Sequence, residues 1–376
     1  MKKKAVLALE DGAIFEGTAF GALGEAAGEV VFNTSMLGYQ EILTNPSYAG
    51  LILAMSYPHI GNCGVNSEDY ESRGAFLEGL VVREYSRLYS NWRAEGSLEE
   101  FLINFGIVGI ENIDTRALTR HIRDKGSMKA VLSSADLNHK NLMEKTKKSA
   151  GLVGRDLVKD VTVEKPYIWW ETKKVMRFNV VALDFGITRG ILRCLESIGC
   201  KVMVMPASTS AKEILSLRPD GIVLSSGPGD PTSLNYAVET VENLLGNRLI
   251  FGIGLGHLLL ALATDLKIGK MRVGHFGSYP VRNLETDQIE ITTQSHGFVV
   301  EAESSPKVKS KTAETIESKS GRVEVTHLNL HDGTIEGLRF LDTPALSVQF
   351  YPKVRPSVPG GKTAFDGFVE LMEKHA

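Results

Sequence analysis

The sequence predicts an α/β protein: an N-terminal mixed α/β domain, then a domain built on a mainly parallel sheet flanked by helices. Three observations carry that prediction. In the second half, apolar runs of strand length alternate with helical runs, the pattern of strand–helix–strand crossovers. Glycine-rich turns stand where those strands end, which is where ligands bind in such sheets. The first half instead mixes short alternating runs with glycine turns and one amphipathic helix.

Composition narrows the function classes. A chain of 376 residues, 43% hydrophobic and 23% charged, is an ordinary soluble globular protein of two to three domains. Its net charge of −3, from 42 basic and 45 acidic residues, points to neither a nucleic-acid nor a membrane-surface partner. The run Lys2–Lys3–Lys4 leads straight into strand-like Ala5–Leu9, so no signal peptide is expected. No apolar run approaches the ~20 residues that cross a bilayer. Cys63, Cys194 and Cys200 are too few and too irregular for a disulfide framework or a zinc site, so no metal is expected. A reducing cytoplasm is the expected compartment.

The elements follow in order. Residues 1–150 form the first domain. Glu29–Asn33 is a strand, and Thr115–Asp124 a helix with Leu118, His121 and Ile122 on one face and Asp114 before its start. Residues 151–177 are a connector, because Val163–Lys174 holds a proline, three aromatics and several charges without a period; it is expected to dock through its aromatics. Residues 178–376 form the second domain. Its strands are Phe178–Leu183, Lys201–Met205, Gly221–Leu224 and Leu249–Ile253. Helices are expected from Arg189 to Ile198, with Cys194 inside and Cys200 ending it, and from about His257.

Gly252–Ile253–Gly254–Leu255–Gly256 stands between a strand and a helix. A pentapeptide with small residues at both ends and its middle residue in a tight strand-to-helix turn is the pattern of a nucleophile elbow. The following helix offers free N–H groups and a positive end to a thiolate or an oxyanion. The middle residue would be Ser or Cys; here it is Gly254, without a side chain. A glycine turn that serves geometry or phosphate binding fits the same pentapeptide.

Longer motifs decide between these readings. Residues 179–372 resemble the class I glutamine amidotransferase family through Leu183–Gly186, Leu224–Pro231, the elbow and Gln294–Phe298. Residues 1–150 resemble the N-terminal domain of the carbamoyl-phosphate synthetase small subunit through Phe32–Glu41, Ser56–Asn62 and Ile113–Arg120. The chain is thus identified as a member of that family. The resemblance implies a synthetase large subunit as partner. It also implies a role in carbamoyl phosphate formation for pyrimidine or arginine synthesis, with ATP and magnesium belonging to the large subunit and no cofactor in this chain. In that family a cysteine attacks the side-chain amide of glutamine, a histidine relays the proton and a glutamate orients the histidine.

Those positions fall on Gly254, Tyr351 and Lys353, all three changed. Tyrosine, with a pKa near 10, is a poor base at pH 7. Lysine donates only, so it cannot orient a histidine as a carboxylate does. Leu258 replaces the family's glutamine and Ser295 its asparagine, and Gly277–Ser278–Tyr279–Pro280 replaces a Gly-Asn-His-Pro run. Ser47, Gly227, Gly229, Leu255, Gly297 and Phe298 match positions that contact glutamine in the family. The expectation is an inactive glutaminase that acts as a structural or regulatory partner, with His257 and His296 as hydrogen-bonded structural residues and Lys353 exposed. The alternatives are a free-standing small-molecule binding or regulatory module, or a residual glutamine amidohydrolase supplying ammonia.

Overall fold

The structure, a computed structural model, describes residues 3–170, 176–301, 315–352 and 363–375. It divides into two compact units, Met1–Arg155 with Arg272–Gly277 and Asp156–Met271 with Ser278–Ala376.

In the first unit the strands are β1 (Lys4–Leu9), β2 (Ile14–Gly21), β3 (Glu25–Asn33), β4 (Leu51–Met55), β5 (His59–Ile60), β6 (Gly79–Val81), β7 (Glu84–Tyr85), β8 (Val108–Glu111) and β9 (Met128–Ser133). The helices are α1 (Tyr39–Leu43), α2 (Leu98–Asn104), α3 (Thr115–Lys125) and α4 (His139–Lys148). Seven strands close into a barrel in the order β1-β2-β8-β6-β4-β3-β9. Closure removes the free edges that so many short strands would otherwise expose. Leu7, Leu9, Ile52, Ile110 and Leu132 share one buried cluster with Leu118 and Ile122 of α3. Asp114 caps α3, its carboxylate accepting from the Ala117 N–H at 2.9 Å, and Gly126 at φ 102° ends it. His121 is not in that core: its Nε2 lies 2.7 Å from Asp11 Oδ2.

In the second unit the chain runs α5 (Val158–Val161), β10 (Tyr167–Trp169), β11 (Phe178–Asp184), α6 (Arg189–Ser197), β12 (Cys200–Pro206), α7 (Ala211–Ser216), β13 (Gly221–Leu224), α8 (Asn235–Leu244), β14 (Ile250–Ile253) and α9 (Leu255–Ala263). It continues through β15 (Lys267–Asn283), β16 (Ile289–Glu301), β17 (Thr315–Ser318), β18 (Gly321–Asn329), β19 (Ile335–Phe340), β20 (Ala345–Val348) and α10 (Ala364–His375). The sheet order is β10-β12-β11-β13-β14-β20-β19-β18-β15-β16, with β17 against β18. From β12 to β20 all pairings are parallel, and β19 turns the sheet antiparallel. Every residue of β13 and β14 is buried, because helices cover both faces of the parallel part. Alternate residues feed two cores: Val181, Leu183, Ile222 and Leu224 on one face, Val180, Ala182, Val223 and Phe251 on the other.

Three local expectations are corrected. The helix expected near His257 begins at Leu255, because Gly254 reverses the chain in one residue. Cys200 does not end α6 but opens β12: α6 stops at Ser197, and Gly199 at φ 90° turns the chain. The connector is not free of regular structure, since Tyr167–Trp169 pairs with β12 as an antiparallel edge strand. Trp169 packs against a core, whereas Tyr167, Ile168 and Trp170 are exposed, so one aromatic does the docking among the described residues. Residues 171–175 of the connector lie outside them. No helix among the described residues is long and apolar enough to cross a membrane.

Candidate functional site

The elbow is built from the end of β14 and the start of α9. Gly254 alone makes the turn, at φ 57° and ψ −111°. A residue with a Cβ enters positive φ only under strain. The turn is held from both sides. The Gly254 N–H donates to the Val348 carbonyl at 2.9 Å, and its own carbonyl accepts from the His257 and Leu258 N–H groups at 3.1 and 3.3 Å.

The flanking glycines are a packing requirement. A Cβ on Gly252 would lie 2.7 Å from the Gly256 carbonyl oxygen, and one on Gly256 2.1 Å from that of Leu224. The first turn of α9 is therefore pressed against the end of β13, and the Gly256 N–H donates to the Ser225 carbonyl at 3.0 Å. The atoms nearest to a Cβ on Gly254 would be Ser226 Cβ at 3.2 Å, Ser226 Cα at 3.4 Å and the Gln349 carbonyl oxygen at 3.8 Å. A Cβ at the middle position would thus need Ser226 to give by a few tenths of an ångström, on a backbone that is itself strained for it.

The loop after β13 closes one side. Ser225 Oγ accepts from the Phe185 N–H and donates to the Ser226 carbonyl, both at 2.9 Å. A Cβ on Gly227 would stand 2.1 Å from the Phe185 carbonyl oxygen, and Gly229 has φ 86°. Both glycines are required by the backbone path, whatever the site binds.

Tyr351 lies two residues beyond Gln349. Its N–H donates to the Thr293 carbonyl at 3.0 Å, and its hydroxyl lies 3.0 Å from Ser295 Oγ. Ser295 and Tyr351 are therefore partners of each other, joining β16 to the segment after β20. Lys353, with its expected exposure, lies outside the described residues.

Leu255, Leu258 and Phe298 are buried in one and the same apolar cluster, so Leu258 packs where the resemblance implies a polar amide. Gly297 is half-buried, with no atom of the described residues within 4 Å of an added Cβ. Ser47 belongs to the first unit, in a 3-10 turn Pro46–Tyr48, where its N–H donates to Asn45 Oδ1 at 3.0 Å.

Both histidines flanking these motifs are held by hydrogen bonds. His296 Nδ1 lies 2.9 Å from the Phe298 carbonyl oxygen and Nε2 3.0 Å from Gln294 Oε1. His257, fully buried, has Nδ1 2.8 Å from Ser347 Oγ. Burial first, and then the neighbouring His327, push the His257 pKa down from 6.5 to about 3. Below pH 6.5 the unfolded chain takes up a proton at His257 that the folded chain refuses. Stability is therefore lost as pH falls from there toward the folded pKa, at about 1.4 kcal/mol per pH unit. His257→Gln removes the titration while keeping a polar partner for Ser347. In urea unfolding between pH 6 and pH 4, the stability of the native chain relative to this variant should fall at that slope. Parallel curves would contradict it.

Sequence reasoning missed Ser226, Ser347 and Gln349. Gln349 is 2% exposed, and among the described residues neither of its side-chain amide atoms has a hydrogen-bond partner. Nothing local in the sequence marks it, because only the parallel pairing of β20 with β14 brings it beside the elbow.

Comparison with known proteins covers both units. Residues 7–132 match the family described as Carbamoyl-phosphate synthase small chain, CPSase domain, and residues 181–371 match Glutamine amidotransferase class-I. A relative named carbamoyl phosphate synthase small chain, from Syntrophotalea carbinolica, is 48% identical, the match covering 99% of this chain and 98% of the relative. One of the same name from Rhodopirellula baltica is 45% identical, covering 99% and 97%. A chloroplastic small chain from Oryza sativa is 43% identical, covering 99% of this chain and 82% of its own length.

Proposed function

The chain belongs to the carbamoyl-phosphate synthase small-chain family, and from that premise we propose that it is a small chain that does not hydrolyse glutamine. It binds a synthase large subunit in the cytoplasm and supports or tunes carbamoyl phosphate formation for pyrimidine or arginine synthesis. ATP and magnesium act on the large subunit, and this chain needs no cofactor of its own.

One observation carries the reading: the elbow is intact in backbone, yet its middle residue is Gly254. Covalent catalysis needs an atom there to attack the amide carbon, and glycine has none. The residue at the base position, Tyr351, holds its hydroxyl against Ser295, and a phenol is a weak base at neutral pH. The retained glycines, Gly227, Gly252 and Gly256, all serve packing, which a non-hydrolysing subunit still requires.

The test is co-purification with the large subunit of the same organism, followed by assay of carbamoyl phosphate formation. The complex is expected to form and to use free ammonia but not glutamine. Absence of a complex would refute the partner assignment. Glutamine use at a rate comparable with an active relative would refute the loss of hydrolysis. Because Leu258 is packed into the core, calorimetry with glutamine should show no micromolar binding.

A further inference from the structure

We propose that the solvent face of α3 is a docking surface for the synthase large subunit, which meets it with a cluster of carboxylates. The inference rests on the large-subunit partnership proposed above and adds where that contact is made.

The helix has two opposite faces. Leu118 and Ile122 share the buried cluster of the barrel strands. Arg116, Arg120 and Arg123 are exposed, and their spacing of i, i+4, i+7 lines them up on the side away from that core. Three arginines and a lysine against one aspartate give Thr115–Lys125 a net charge of +3, on a chain that carries −3 in all.

The arrangement works against the helix that carries it. The start of a helix is its positive end, so acids stabilise the first turn and cations do not. The helix α2 follows this rule, with Glu99 and Glu100 in its first turn. The first turn of α3 holds no acid and holds Arg116 instead. Asp114 precedes the helix, and its carboxylate caps the Ala117 N–H. Like charges at i, i+4, as at Arg116 and Arg120, further destabilise a helix. Among the described residues neither of these two arginines has an ion pair, whereas Arg123 Nε lies 3.3 Å from Asp124 Oδ1. Solubility does not explain the choice, because glutamates would solvate the surface equally and suit the helix start better. An anion supplied from outside the chain does.

The stripe also selects the anion. Guanidinium forks pair with carboxylates or phosphates through two parallel hydrogen bonds. A long polyanion such as a nucleic acid would also meet the rest of the chain, which is net negative once the +3 of this helix is set aside. The stripe is short: seven residues of helix rise separate Arg116 from Arg123, about 10 Å. A protein surface with a few carboxylates over that length fits both facts, and arginine is enriched where protein interfaces bind most strongly.

Binding of the full chain to the large subunit of the same organism tests this, measured by surface plasmon resonance at about 50 and about 300 mM salt. Arg116→Glu with Arg120→Glu should weaken the complex at least about tenfold at the lower salt and flatten its salt dependence. Lys140→Glu with Lys148→Glu makes an equal charge change at exposed positions of α4 and should leave affinity within about twofold. Should the first variant not fold, Arg116→Gln with Arg120→Gln repeats the test and should weaken binding at least about threefold. Unchanged affinity in a folded arginine variant, or an equal loss in the α4 variant, overturns the docking surface and leaves the partnership standing. A parent chain that binds no large subunit overturns both. An RNA oligonucleotide that binds the parent but not the arginine variant, with the complex unaffected, would assign the stripe to nucleic acid and overturn the proposal.

Discussion

Gly254→Cys is expected to return a thiol to the elbow without returning glutamine hydrolysis. Removing the nucleophile of a catalytic triad costs roughly six powers of ten in rate, and removing several members together costs little more, because they act as one unit. The converse follows: one restored member does not act without its base. On the proposed reading the base position is Tyr351, whose hydroxyl faces Ser295, and Leu258 lies in the core. The variant also has a cost. At φ 57° and ψ −111° a Cβ is strained, so Gly254→Cys should unfold about 1–3 kcal/mol more easily. The nearest atom to the new Cβ is Ser226 Cβ at 3.2 Å, a contact that a shift of a few tenths of an ångström relieves, so the protein should fold. Urea denaturation and an ammonia-release assay on the same preparation check both halves. Hydrolysis comparable with an active relative would show that the remaining pocket is competent. Unchanged stability would show that the turn carries no strain.

Gly256→Ala should be the more damaging change, although it touches no position with a catalytic role in the family. Its Cβ would stand 2.1 Å from the Leu224 carbonyl oxygen and 2.6 Å from Leu224 Cβ. The obstacle is the backbone of a fully buried central strand, which cannot rotate aside as a flexible side chain would. Relief requires α9 to lift from β13, opening the core shared by Leu224, Leu255 and Leu259. A cost above about 4–5 kcal/mol is expected, comparable with a large part of the stability of a whole domain. Soluble yield and thermal unfolding measure it. A variant that melts within a few degrees of the parent would mean that the elbow is looser than its contacts imply. The two variants together separate the roles of the glycines: a side chain at Gly254 is strained by φ with only a slight contact to relieve, and one at Gly256 is excluded by space.

Much of this was legible from residues alone. The parallel strands of the second unit are continuous apolar runs because both faces are covered, and such runs are visible in any sequence. The helix at Thr115 announced itself through Asp114 and the spacing of Leu118 and Ile122. The elbow was legible because its glycines are a local necessity of a tight turn. Errors fell where neighbours distant in sequence decide. Tyr167–Trp169 has no strand period, yet β12 offers it an edge to pair with. Cys200 sits where a helix might still run, but Gly199 reverses the chain and β11 recruits the next residues.

By itself, then, the sequence determined the fold class and the family, and it puts a residue without a side chain at position 254, because each depends on residue identity or short-range spacing. The tertiary structure decided the rest: barrel closure, the burial of Leu258, the Tyr351–Ser295 contact and the burial of Gln349 beside the elbow. The physical reason is that these depend on which strands pair and which faces meet. A sequence pattern shows that a residue is apolar or polar, and only the packed chain shows what stands opposite it.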